Sequence, residues 1–168
     1  PDERSCSINL SAQALAEDGF LDFVVECLDH SQVPPHRICF EVGETAVMER
    51  FDQARRFVAV LHGIGCQFGL DDFGSGLGSF TTLRDLSIDY LKIDGTYTRD
   101  LRPETLNHQV VAAVTAVSRI LGFRVIAEQV ETQADFETLR SIGVDFIQGN
   151  FIDRPHRLGE PATALSMV

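Results

Sequence analysis

The feature that most constrains this chain is a regular switch between two hydrophobic periods, punctuated by glycine. Short apolar or alternating runs occur at Cys6–Leu10, Ile38–Val42, Cys66–Leu70, Tyr90–Ile93, Arg124–Ala127 and Phe146–Ile147. These have the length and pattern of strands. Between them the period lengthens to that of a helix. Phe20–Leu28 aligns Phe20, Phe23, Val24 and Leu28, and Phe51–Leu61 aligns Ala54, Phe57, Val58 and Leu61. Asn107–Leu121 aligns Val110, Val111, Val114, Val117, Ile120 and Leu121, and Gln133–Ser141 carries Phe136 and Leu139. Gly63, Gly65, Gly122 and Gly143 follow helical patterns, where a left-handed cap is expected. Such βαβα alternation predicts an α/β fold with a parallel sheet. No sequence repeat, low-complexity tract or linker is visible. The stretch 156–168 loses the pattern and reads as a tail or a closing helix.

Two architectures suit the alternation. A doubly wound nucleotide fold carries G-x-G-x-x-G after its first strand. Here Gly74-Ser75-Gly76-Leu77-Gly78 follows the third strand and lacks that spacing. A closed barrel takes roughly 250 residues and eight strands. The 168 residues supply six strands, so the barrel reading carries the expectation that its first strands are missing. Pro1 in place of Met fits a piece of a longer chain.

Every strand delivers a polar side chain at its C-terminal end. The series runs Asn9; Glu41, with Glu44 three residues on; Asp71-Asp72; Lys92 and Asp94; Glu128, with Glu131 three on; and Gln148. In a parallel α/β sheet these ends share one face, where such folds place their chemistry. Hard oxygen donors suit Mg²⁺ or Mn²⁺. No His or Cys stands at a strand end, which argues against zinc. The bland alternative is that acids after strands cap the next helix. Glu44 and Glu131 are open to that reading, Asp94-Gly95 is a turn signal, and Lys92 suits a plain salt bridge. The five histidines fall on helices and loops and read as surface or helix-end residues. Agreement of all six strand ends favours a site.

Composition removes other classes. A net charge of −11 argues against a non-specific nucleic-acid binder, which would show a basic face. The apolar runs are far shorter than the roughly 18 residues that span a bilayer, and no secretory signal is visible. The four cysteines, Cys6, Cys27, Cys39 and Cys66, form no C-x-x-C pair and read as buried, reduced thiols.

The motifs together resemble the EAL domain, the cyclic di-GMP phosphodiesterase domain of bacterial signalling proteins. They run Asn9-Leu10-Ser11 (NLS), Phe40 to Thr45 (FE-x-x-ET), Asp71 to Gly76 (DDFGSG), Leu91 to Asp94 (LKID), Ala127 to Thr132 (AE-x-VET), and Gln148-Gly149 with Arg154-Pro155 after it. The resemblance covers about Ser5 to Pro155 and is specific because six motifs are collinear. It implies a modified TIM barrel whose first strand is antiparallel. Residues 1–168 would then be the C-terminal two-thirds of the domain, and the strand bearing the Glu-Ala-Leu signature would lie outside the chain.

The resemblance further implies a two-metal phosphodiesterase, with Mg²⁺ or Mn²⁺, that converts cyclic di-GMP to linear pGpG. Asn9 and Glu41 resemble ligands of a first metal, Asp71 a residue shared by two metals, and Asp72 a ligand of the second. Lys92 resembles the lysine that orients the attacking water, and Glu128 the metal ligand or general base. Glu131 and Gln148 match positions that steer water and ligands, and Glu44 matches the anchor of the loop after the double aspartate. The resemblance also implies a cytoplasmic homodimer attached to sensory or GGDEF domains, with no nucleic-acid polymer and no membrane contact from this domain. Three places depart from the family pattern. Gln129 stands where Gly is usual, Asn150 where an aromatic is common, and Leu77-Gly78 replaces the usual loop residues. The rival within the family is a module that binds cyclic di-GMP without cleaving it. A more distant rival is an open-sheet Mg²⁺ phosphotransfer receiver. Its acid pair follows the first strand, without counterparts of Asn9, Glu128 and Gln148.

Overall fold

The computed structural model describes residues 5–74 and 80–155. The tail or closing helix expected over 156–168, and the loop with Leu77-Gly78, lie outside the described residues. The chain divides into two compact units, residues 1–89 and 90–168.

In the first unit, β1 (Cys6–Leu10), β2 (Ile38–Gly43) and β3 (Gln67–Phe73) pair in parallel. Helices α1 (Ala12–Ala16) and α2 (Phe20–His30) join β1 to β2, and α3 (Glu44–Glu49) and α4 (Phe51–Ile64) join β2 to β3. Helix α5 (Phe80–Leu86) follows. The core is aromatic. Phe57 of α4 meets Phe40 of β2 edge-on at 5.8 Å and stacks on Phe20 of α2 at 6.1 Å. Val42, Val58, Leu61, Phe68 and Leu70 are buried around them, each such side chain contributing about 1.5–3 kcal/mol by leaving water.

In the second unit, β4 (Tyr90–Ile93), β5 (Arg124–Ala127) and β6 (Phe146–Ile147) also pair in parallel. They are joined by α6 (Leu106–Leu121) and α7 (Gln133–Ile142). Leu91, Ile93, Val111, Val114, Val125, Leu139 and Ile147 form its core. Hydroxyl caps start α6 and α7: Thr105 accepts from the His108 N–H, and Thr132 from the Asp135 N–H.

Four differences from the sequence reading have plain causes. Strand β3 runs through Asp71 and Asp72 to Phe73, because Asp71 pairs with Gly43 and Phe73 is buried. Gly63 lies inside α4, and the left-handed cap falls on Gly65 at φ +105°. Helices α1, α3 and α5 are five to seven residues long, too short to display a helical period. Cys39 and Cys66 are buried free thiols, but Cys6 and Cys27 are exposed.

The chain also repeats one short design. Thr82–Leu91 reads TLRDLSIDYL and Thr138–Ile147 reads TLRSIGVDFI. Asp89 accepts from the Phe68 N–H at 2.8 Å, and Asp145 from the Val125 N–H at 2.7 Å. Ser87 and Gly143 end their helices in the left-handed region, at φ +50° and +86°. Asp71-Asp72 lie near the end of β3 and Glu128-Gln129 directly follow β5, and Asp72 (φ +54°) and Gln129 (φ +52°) both adopt positive φ.

Candidate active site

In the first unit, strand register decides which side chains share a face. Asn9 pairs with Glu41, and Gly43 with Asp71. Residues two apart on a strand point the same way, so Asn9, Glu41 and Asp71 share one face at the strands' C-terminal ends. Glu41 is buried, Asp71 half-buried and Asn9 exposed. Asp72 would point the opposite way in a regular strand, but its positive φ turns the chain there. Aspartate tolerates this conformation better than most residues. The Asp72 N–H donates to Asp71 Oδ1 at 3.0 Å.

Glu44 is the first residue of α3 and is buried. The helix N-terminus favours its charge, and its Oε2 also accepts from the Gly74 N–H at 3.0 Å. The helix-end and loop-anchor readings therefore coincide in one carboxylate.

In the second unit, Lys92 pairs with Ile126, and Ile126 with Phe146. Glu128 and Gln148 each follow two residues later, and both ladders extend past the strand ends. The Glu128 N–H donates to Ile93 O at 3.3 Å, and the Gln148 N–H to Ala127 O at 2.8 Å. Lys92, Glu128 and Gln148 thus lie on one face. Lys92 Nζ sits 2.7 Å from Glu128 Oε1, with only 9% and 12% of the two side chains exposed. Glu128, Glu131, Gln148, Asn150 and Arg154 line a cleft of about 530 Å³. Asp94 makes the turn expected of it, its Oδ1 accepting from the Thr96 N–H at 2.8 Å.

Two supporting residues, Thr98 and Arg99, have no counterpart in the sequence motifs, and a third, Gly149, stands there only as part of Gln148-Gly149. Thr98, fully buried, donates its hydroxyl to the Glu128 carbonyl at 2.5 Å. Arg99 donates to Gln129 Oε1 at 2.8 Å. At Gly149, a Cβ would overlap the backbone of Val130, so the glycine of Gln148-Gly149 permits a close approach. No periodicity marks loop residues such as Thr98 and Arg99. Gln129 gave a signal as a departure from the family pattern, and Gly149 as part of the Gln148-Gly149 motif.

Parallel α/β units whose strands end in carboxylates, two amides and an ion-paired lysine define a class: an α/β domain with its polar side chains at the C-terminal strand ends. The family follows from comparison. The chain belongs to the EAL domain family, whose model matches residues 1–155. It is 34% identical over 152 residues to the cyclic di-GMP phosphodiesterase PdeB of Shewanella oneidensis, covering 90% of this chain and 18% of PdeB. It is 32% identical over 149 residues to MucR of Pseudomonas aeruginosa, named a bifunctional diguanylate cyclase/cyclic di-GMP phosphodiesterase, covering 89% of this chain and 22% of MucR.

The solved MucR phosphodiesterase complex with cyclic di-GMP matches with a TM-score of 0.85 and 32% identity, over 90% of this chain and 67% of that one. A Klebsiella pneumoniae BlrP1 complex with manganese and cyclic di-GMP matches at 0.83 and 30%, over 91% and 39%. The fold is therefore the TIM-barrel variant of EAL domains. The chain spans about a fifth of the length of the curated relatives it matches.

Proposed function

We propose that this chain is the larger part of a phosphodiesterase domain that hydrolyses cyclic di-GMP to linear pGpG with the help of divalent cations. The observation that carries the reading is the sharing of faces. Asn9, Glu41 and Asp71 lie together in one unit, and Lys92, Glu128 and Gln148 in the other. Membership of the EAL family and likeness to complexes of cyclic di-GMP support it.

The donor set fits Mg²⁺ or Mn²⁺, because carboxylates and one amide offer only oxygen ligands. Asn9, Glu41, Asp71 and Asp72 of the first unit would hold such ions, with Asp71 shared between two, and Glu128 of the second unit is a further candidate ligand. When bound, such ions acidify a water and neutralise phosphate oxygens. Lys92 adds positive charge on the phosphate side and holds the Glu128 carboxylate in place. Glu128, oriented by that ammonium, takes the proton of the attacking water. Gln148 and Glu131 line the same cleft as Glu128 and orient water there. Glu44 fixes Gly74, two residues after Asp72, and so steadies the turn that carries Asp72. The leaving 3′ oxygen acquires a proton as the ring opens, which yields linear pGpG.

In this reading the parent protein works in the cytoplasm as a homodimer and joins the domain to sensory or GGDEF segments. The MucR name supports attachment to a cyclase. Among the described residues no helix is long and apolar enough to cross a membrane.

The test uses the full-length parent protein. It is incubated with cyclic di-GMP and Mn²⁺ or Mg²⁺, and pGpG is followed by chromatography with Asp71→Asn as control. Metal-dependent pGpG from the wild type alone supports the enzyme. Tight binding without turnover would instead establish a receptor.

A further inference from the structure

Gln129 adopts φ +52°, a left-handed conformation that costs a long side chain free energy and persists only where the surroundings enforce it. The enforcement is visible. Gln129 Oε1 accepts from Arg99 at 2.8 Å, and the Gln129 side chain lies so close over Gly95 that a Cβ there would overlap it. Both Gly95 and Arg99 belong to the loop after β4, the strand that carries Lys92. Gln129 therefore ties the loop after β5 to the loop after β4.

Glu128 lies inside this tie. Its N–H is bonded to Ile93 O, its carbonyl accepts from buried Thr98, and the next residue is fastened to Arg99. With the backbone gripped on both sides, only the side-chain torsions of Glu128 remain, and Lys92 at 2.7 Å fixes those. Asp72, near the end of β3 in the first unit, has the same sign of φ. There the turn carries a short acidic side chain, whereas at 129 it carries a clasp.

We propose that Gln129 and Arg99 form a clasp that positions Glu128 against Lys92, so that Gln129 is a positioning residue for the hydrolytic site. The inference rests on the phosphodiesterase reading for its kinetic consequence but not for its geometry. Gln129 is exposed and also lines the cleft. Direct ligand contact would raise KM, whereas loss of positioning lowers kcat.

The experiment compares Gln129→Leu, Arg99→Leu and the double variant in the full-length protein, using cyclic di-GMP with Mn²⁺. A misplaced carboxylate lowers kcat by roughly ten- to a hundredfold. The clasp predicts this loss in each single variant, with KM nearly unchanged. It also predicts that the double variant is no worse than either single, because both remove the same contact. A change in KM alone, or additive losses in the double variant, would overturn it. If the wild type makes no pGpG, the phosphodiesterase reading has failed separately. Amide hydrogen exchange then decides the clasp: the Glu128 and Val130 amides should exchange faster, by the same factor, in both single variants. Unchanged exchange would overturn it.

Discussion

Lys92 on β4 and Glu128, the residue after the adjacent parallel strand β5, form an ion pair of 2.7 Å, with about nine-tenths of each side chain out of solvent. Removing one member leaves the other charged and poorly solvated, whereas an apolar pair of similar volume avoids that penalty. Lys92→Met should therefore lower stability by about 3 kcal/mol, measured by urea unfolding. Adding Glu128→Met should recover much of the loss while the protein still makes no pGpG. Recovery of stability without activity would separate the chemical role of the pair from its structural one.

The Glu44 carboxylate supports the turn after Asp72 through the Gly74 N–H. Glu44→Gln keeps an acceptor oxygen, and Glu44→Ala keeps none. A lost hydrogen bond to a charged acceptor costs about 1.5–3 kcal/mol. The alanine variant should need more Mn²⁺ for half-maximal activity, and the glutamine variant should lie between it and the wild type. Equal behaviour of the two variants in a metal titration would remove the loop-anchor role.

Gly149→Ala should destabilise the second unit by about 3 kcal/mol, the upper range for forced overpacking. The new methyl would collide with rigid backbone at Val130, whose N–H and carbonyl are engaged by Gln148 and Phe151. Gly95→Ala should behave differently, because its obstacle is the Gln129 side chain. Gly95→Ala alone should lower the thermal midpoint, and Gln129→Gly in the same chain should restore it. Calorimetry of the two single variants and the double variant measures the compensation.

The strand ends were legible because parallel strands all deliver their last residues to one side. Reading Asn9, Glu41, Asp71, Lys92, Glu128 and Gln148 in order therefore needed no coordinates. Pairing register adds what order alone does not hold: Asn9 beside Glu41 and Lys92 beside Ile126. Thr98 and Arg99 were illegible because a loop's role depends on what folds back against it. The Thr82–Leu91 and Thr138–Ile147 correspondence shares four residues in ten but is too short to stand out as a repeat, and the matching backbone turns at Ser87 and Gly143 reveal it. Gly63 was misread as a cap because sequence alone does not say which of two nearby glycines takes the positive φ.

Cys66, which follows α4 and its Gly65 cap, is buried, and burial pushes its thiol above the ordinary range. A raised pKa means less thiolate at any pH below it, and the thiolate is the reactive form. Cys39 is buried too, whereas Cys6 and Cys27 are exposed. Iodoacetamide at pH 8 should therefore label Cys6 and Cys27 in the folded protein and leave Cys39 and Cys66 unmodified until urea is added. Peptide mass mapping of labelled sites over time reads the order directly, and early labelling of Cys66 would show that its side of the first unit opens in the native state.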